Sequence, residues 1–86
     1  MRFSVHIEVR GLTGIADPEG RTIERALPAL GFDGVQGVSV GKVIAFELDA
    51  ADVASATGEV EQMCARLLSN PVIQRAEITV TPVGVA

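Results

Sequence analysis

The sequence predicts a single α+β domain in which an antiparallel sheet carries two helices on one face. Segments with strand-like alternation and segments with helical period follow one another in the order strand, helix, strand, strand, helix, strand. The length of 86 residues provides one hydrophobic core, so we expect one domain over residues 1–86. With right-handed crossovers, this βαββαβ order gives a ferredoxin-like sheet of four strands.

The first strand and the first helix have clear boundaries. Residues 2–10 alternate between apolar and polar side chains, which is typical of a strand with one buried face. Asp17 and Pro18 predict a helix start, because the carboxylate accepts from first-turn amides and proline suits the first helical position. Gly31 predicts the end of this helix, and Pro28 is expected to kink or loosen its last turn.

The next segment is predicted to be a β-hairpin. Residues 38–40 form a short strand, Gly41 and Lys42 form a two-residue turn, and residues 43–48 form the returning strand. Both sides of the returning strand are fairly apolar, which indicates a central position or a covering partner. Lys42, the only lysine, would then lie at the hairpin tip. It is either a solvated charge or a contact to an anionic group on a partner.

A second helix and a last strand complete the predicted fold. The helical period returns over residues 52–69, and Asn70 with the proline after it ends this helix. Gly58 weakens the helix by about 1 kcal/mol relative to alanine. Residues 76–81 alternate again and form the last predicted strand.

Composition argues against several classes of function. Hydrophobic residues make up 48% of the chain, so we expect another chain to cover one face, with assembly through strands. A net charge of −4 without a basic run argues against nucleic-acid binding. No apolar run is long enough to cross a membrane and no signal peptide is recognisable, so a cytoplasmic location is expected.

The residues do not assemble into a catalytic or metal site. His6 is the only histidine and has no assignable nucleophile, so we interpret it as solvated or interfacial. Cys64 is the only cysteine and lies on the apolar stripe of the second helix, which favours a packing role. The carboxylates lack the spacing of metal ligands. We therefore expect no catalytic residue, no metal and no cofactor in this chain.

Short motifs follow one another along almost the whole chain. They are DPEG at 17–20, AL at 26–27, LGF at 30–32, V..V at 35 and 38, GK at 41–42, MC at 63–64, LL at 67–68 and NPVI at 70–73. In this order and spacing they resemble the PurS family, the small subunit of bacterial and archaeal phosphoribosylformylglycinamidine synthase. DPxG, LGF, GK and NPVI in combination make the resemblance specific.

The resemblance implies a subunit of a purine-biosynthesis enzyme that has no active site of its own. In that complex the large subunit, PurL, uses ATP and magnesium to activate formylglycinamide ribonucleotide. The glutaminase subunit, PurQ, releases ammonia from glutamine. A PurS-like chain forms a dimer or tetramer, binds both catalytic subunits and supports the transfer of ammonia.

The resemblance also implies which residues face the partners. The positions carried over are Asp17, Gly20, Gly41, Lys42 and Asn70. The chain departs from common family residues at Leu12, Thr13, Pro28, Ser39 and Gln74.

An alternative function from another class is a small-ligand regulatory module like the amino-acid-sensing ACT domains, which have the same element order and bind ligands at a dimer interface.

Overall fold

A three-stranded antiparallel sheet forms one layer of the computed structural model, which describes residues 1–84. The last two positions of the predicted domain lie outside the described residues. No helix within residues 1–84 is long and apolar enough to cross a membrane. The α+β class with two helices is confirmed. In chain order the elements are β1 (Arg2–Gly11), α1 (Pro18–Ala29), β2 (Gly41–Asp49), α2 (Val53–Met63), a π-helical turn (Cys64–Leu68) that continues α2, and β3 (Gln74–Pro82).

β1 is the central strand, because it pairs with β2 on one side and with β3 on the other. The α2 helix and the π-helical turn after it cover one face of this strand with the buried side chains of Val60 and Cys64. The register places Ile7 between Ile44 and Ile78, so apolar side chains form rows across the sheet. The alternation read from the sequence is confirmed, since the following β1 side chains are at most 1% exposed: Phe3, Val5, Ile7 and Val9.

The predicted hairpin at Gly41 and Lys42 is wrong, and the sheet has three strands where four were expected. Residues 38–40 pair with no strand, and β2 begins at Gly41, opposite Arg10. Gly41 does not have a positive φ. Glycine suits this position because the backbones of β1 and β2 approach closely here. A Cβ at position 41 would lie 2.5 Å from the carbonyl oxygen of Val9. Lys42 therefore lies within β2, opposite Val9, and not at a hairpin tip.

The end of α1 has the predicted glycine cap. The amide of Gly31 donates to the carbonyl of Pro28, and the amide of Phe32 donates to the carbonyl of Leu27, both at 3.0 Å. Gly31 has a φ of 96°, a value that suits glycine. These two bonds form a Schellman motif. Pro28 is the penultimate residue of α1, so the helix ends in the turn that proline was expected to disturb.

α1 and residues 30–40 contribute little to the core. No α1 side chain belongs to the core cluster of the described residues. Leu30 is 71% exposed and Phe32 is 58% exposed. The Cα radius of gyration is 16.7 Å, whereas a compact domain of this length has about 12 Å. The described chain is therefore extended and leaves apolar surface uncovered.

Candidate functional site

A cleft of about 690 Å³ lies at the end of the sheet where β1 finishes and β3 begins. The loop after β1, the first turn of α1, residues 37–40 and the start of β3 form its walls. The cleft therefore brings together three segments that are distant in sequence: residues 10–19, 37–40 and 73–75.

Asp17 joins two walls of this cleft. Its Oδ1 accepts from the amide of Gly20 at 3.0 Å, and its Oδ2 accepts from the amide of Val40 at 2.8 Å. These hydrogen bonds, that of Gly20 first, lower the pKa of Asp17, because they stabilise the carboxylate. Asp17 is thus the predicted helix cap and also the anchor of the residue that precedes β2.

Glu24 anchors the same segment from the next turns of α1. Its Oε1 accepts from the amide of Val38 at 2.8 Å. Asp17 and Glu24 together satisfy alternate amides of residues 38–40, which are the groups a strand partner would otherwise bind. Residues 38–40 are therefore held by a helix instead of forming the predicted strand. Sequence reasoning missed Glu24, because no local pattern signals a bond across 14 residues.

Gly20 makes the contact between α1 and residues 38–40 close enough for these bonds. It is the one buried residue of α1. A Cβ at this position would lie 2.6 Å from the carbonyl oxygen of Val38 and 2.7 Å from Oδ2 of Asp17. Any side chain at position 20 would therefore push the anchored segment away.

The other predicted positions lie outside the cleft lining. Gly41 follows the anchored segment directly, and Lys42 is exposed on β2. Asn70 builds the turn before β3, where its carbonyl oxygen accepts from the amide of Gln74 at 2.7 Å. This turn presents the carbonyl oxygen of Ile73 to the amide of Leu12 at 2.9 Å. Asn70 therefore shapes one wall of the cleft indirectly.

Sequence reasoning also missed two arginines in the cleft lining, Arg10 and Arg75. Arg10 Nη2 donates to Ser39 Oγ at 3.2 Å and so connects β1 to the anchored segment. Only the register of β1 and β3 shows that the two arginines are neighbours.

Within residues 1–84, no group of three or more His, Cys, Asp or Glu side chains is placed to hold a metal ion. The cleft therefore offers charged and hydroxyl groups for contacts.

Cys64 is remote from the cleft, in the π-helical turn. It is 6% exposed and belongs to the core cluster. Burial raises the pKa of its thiol, which keeps the sulfur in its less reactive protonated form. Cys64 therefore acts as a core residue.

We predict that Gly20→Ala lowers the free energy of unfolding by about 1–3 kcal/mol, because the added methyl group overpacks the contact with residues 38–40. Urea denaturation measures this change. Gly58→Ala is the matched control, since a Cβ at Gly58 meets no atom within 4 Å. The control is expected to be about 1 kcal/mol more stable than wild type. Equal stability of Gly20→Ala and wild type would contradict the prediction.

Acid is expected to weaken the Asp17 anchor. The pKa of Asp17 is lower in the folded chain than in the unfolded chain. Its contribution is therefore complete above the unfolded pKa and is lost as pH falls through the folded pKa.

Asp17→Asn removes one acceptor, so this variant should unfold at lower urea than wild type at pH 7. The difference should narrow at about pH 2, because a growing fraction of the wild-type carboxyl is protonated as pH falls below the unfolded pKa. Asp33→Asn, at an exposed position, is the control for the change of charge. A difference that is the same at both pH values would show that the carboxylate is not the anchor.

Comparison with known proteins identifies relatives along the described chain. The family model PurS, described as phosphoribosylformylglycinamidine (FGAM) synthase, matches residues 4–82. The PurS subunit of phosphoribosylformylglycinamidine synthase from Methanothermobacter thermautotrophicus is 40% identical over 80 residues, which are 93% of this chain and 94% of the relative. The corresponding subunit from Methanocaldococcus jannaschii is 46% identical over 67 residues, or 78% of this chain and 81% of the relative.

A solved structure has the same fold. A chain in the structure of PurLQS from Thermotoga maritima aligns with a TM-score of 0.85 at 32% identity, covering 93% of this chain and 98% of that chain. The resemblance stated from the motifs is confirmed, and the comparisons do not support the ACT-like alternative. This chain belongs to the PurS family of phosphoribosylformylglycinamidine synthase subunits.

Proposed function

We propose that this chain is the non-catalytic assembly subunit of a phosphoribosylformylglycinamidine synthase complex in purine biosynthesis. It bridges the ATP-dependent large subunit and the glutaminase subunit and supports the transfer of ammonia between them. The observation that carries this proposal is the family match over residues 4–82. ATP and magnesium belong to the large subunit in this proposal, and the complex acts in the cytoplasm.

The surface beside the cleft, where Lys42 and Asn70 are exposed, is the one that this proposal assigns to a catalytic subunit. Asp17 and Gly20 hold residues 38–40 in place, and Gly41 lets β2 approach β1 closely. These three residues therefore set the shape of the surface. Lys42 and Asn70 are exposed, so they are the predicted positions that remain accessible to a partner.

A second copy of the chain is the other proposed partner. An apolar groove of about 440 Å³ opens between β2 and the end of α2. In a ferredoxin-like fold two helices pack side by side on one face of the sheet, and the helix beside α2 would cover this part of the sheet. The residues that line the groove are Ile44, Phe46, Glu47, Leu48, Met63, Leu67 and Leu68.

The helix that would cover the groove is α1, yet its apolar stripe does not belong to the core of the same chain. Ile23 is 39% exposed, and Leu30, just after the helix, is 71% exposed. Burying apolar surface of this kind stabilises association by about 25 cal/mol per Å² before the costs of binding. We infer that α1 of one copy covers the groove of another. The outer edges of β2 and β3, unpaired within residues 1–84, leave room for the predicted association through strands.

Reconstitution tests the assembly role. The chain is mixed with PurL, PurQ, formylglycinamide ribonucleotide, ATP, magnesium and glutamine, and product formation is measured with and without the chain. Glutamine-dependent turnover should require the chain, because it joins the two catalytic subunits. Turnover with an ammonium salt in place of glutamine should not require it, which controls for an intact large subunit. Unchanged glutamine-dependent turnover without the chain would refute the assembly role.

A further inference from the structure

The register of the sheet places two arginines side by side at the rim of the cleft. Arg10 of β1 and Arg75 of β3 are directly opposite each other, and both line the cleft. Like charges in this position destabilise a pair of strands. The arrangement therefore brings two positive charges close together at the rim of the cleft.

Glu8 and Glu77 form the next pair in the register on the same face, and of these two only Glu8 forms an ion pair with one of the arginines. Glu8 Oε1 lies 3.5 Å from Nε of Arg10. The Arg75 side chain forms no hydrogen bond or ion pair with residues 1–84 and is exposed. Two backbone amides occupy the oxygens of Asp17, and Glu19 is exposed on the first turn of α1. Arg75 thus keeps its donors available to a ligand.

Neutral hydrogen-bonding groups lie beside the arginines. The lining includes Thr13 and Ser39, and the hydroxyl of Ser39 already accepts from Nη2 of Arg10 at 3.2 Å. A hydroxyl that accepts one hydrogen bond still has its own proton to donate. Two arginines and two hydroxyl-bearing residues therefore line the same cleft, and this donor set suits an anion with several acceptor oxygens.

We propose that the cleft binds a phosphate group between Arg10 and Arg75. A phosphate group has enough acceptor oxygens for both guanidinium groups, whereas the two oxygens of one carboxylate match a single guanidinium group. A volume of about 690 Å³ is within the range of small-molecule sites and exceeds what one phosphate needs. The phosphate is therefore either free or carried by a small molecule such as a nucleotide or a phosphorylated sugar.

Titration of the isotopically labelled full chain tests this site without either catalytic subunit. Inorganic phosphate, ribose 5-phosphate and ADP are added separately at constant ionic strength, and amide chemical shifts are recorded. We expect saturable shifts at residues 10–14, 39 and 75. Tighter binding of ADP or ribose 5-phosphate than of inorganic phosphate would identify a carried phosphate, and equal binding would identify the free ion.

Arg75→Gln should weaken phosphate binding about tenfold, the effect of losing one charged hydrogen-bond donor group. The side chain is exposed, and circular dichroism checks that the variant folds. Arg66→Gln removes the same charge from an exposed position in the π-helical turn and should bind like wild type. Shifts that do not saturate, or an equal affinity of Arg75→Gln and wild type, would overturn the proposal. These outcomes leave the assembly role untouched.

Discussion

The buried face of β1 is the constraint on which the other elements depend. β2 and β3 each pair only with β1 among the described strands, so neither has a sheet without it. The α2 helix and the π-helical turn pack Val60 and Cys64 against the same apolar face. Truncating one of the fully buried β1 side chains, such as Ile7→Ala, falls in the class of change that costs about 2–5 kcal/mol. Among the described residues, the buried apolar side chains therefore lie in one strand and in the helical segment that covers it.

The other half of the chain is built on a different principle. α1 and the segment before β2 are held together by two carboxylates that accept from backbone amides, Asp17 at Val40 and Glu24 at Val38. These bonds fix the shape of α1 and residues 38–40 without burying the helix against the sheet. As a result, apolar side chains remain exposed both on α1 and in the groove beside β2. This distribution leaves apolar surface for another chain to cover, which agrees with the proposed role in assembly.

Strict local patterns in the sequence predicted the elements that local physics determines. The alternation of residues 2–10 gave β1 and its buried face, and Asp17 and Gly31 marked the ends of α1. The hairpin failed because Gly41 suits two situations, a turn with positive φ and the close approach of two strands, and periodicity does not distinguish them. Residues 38–40 have a strand-like composition, but their amides are bound by side chains 14 and 23 residues away.

The site was predictable to the same extent. The sequence predicted Asp17 as a helix cap, which is the role of its Oδ1. It did not predict that Oδ2 accepts from the amide of Val40, 23 residues away. The neighbouring arginines at 10 and 75 depend on the pairing of the first and last strands. Such long-range contacts follow from the register of paired strands, which local sequence reasoning does not fix.

We infer that association with another copy completes the core of this chain. Sedimentation equilibrium of the purified chain measures this directly, with Leu67→Glu, which places a charge in the groove, and Val72→Glu as the matched control. Leu67 is 83% exposed and lines the groove, whereas Val72 is 77% exposed and lies outside its lining. The wild-type mass should be at least twice that of one 9.0 kDa chain and should be unchanged in Val72→Glu. In Leu67→Glu the dissociation constant should be at least about tenfold higher. A wild-type chain that sediments as a stably folded monomer, or a Leu67→Glu variant that associates like wild type, would contradict this inference.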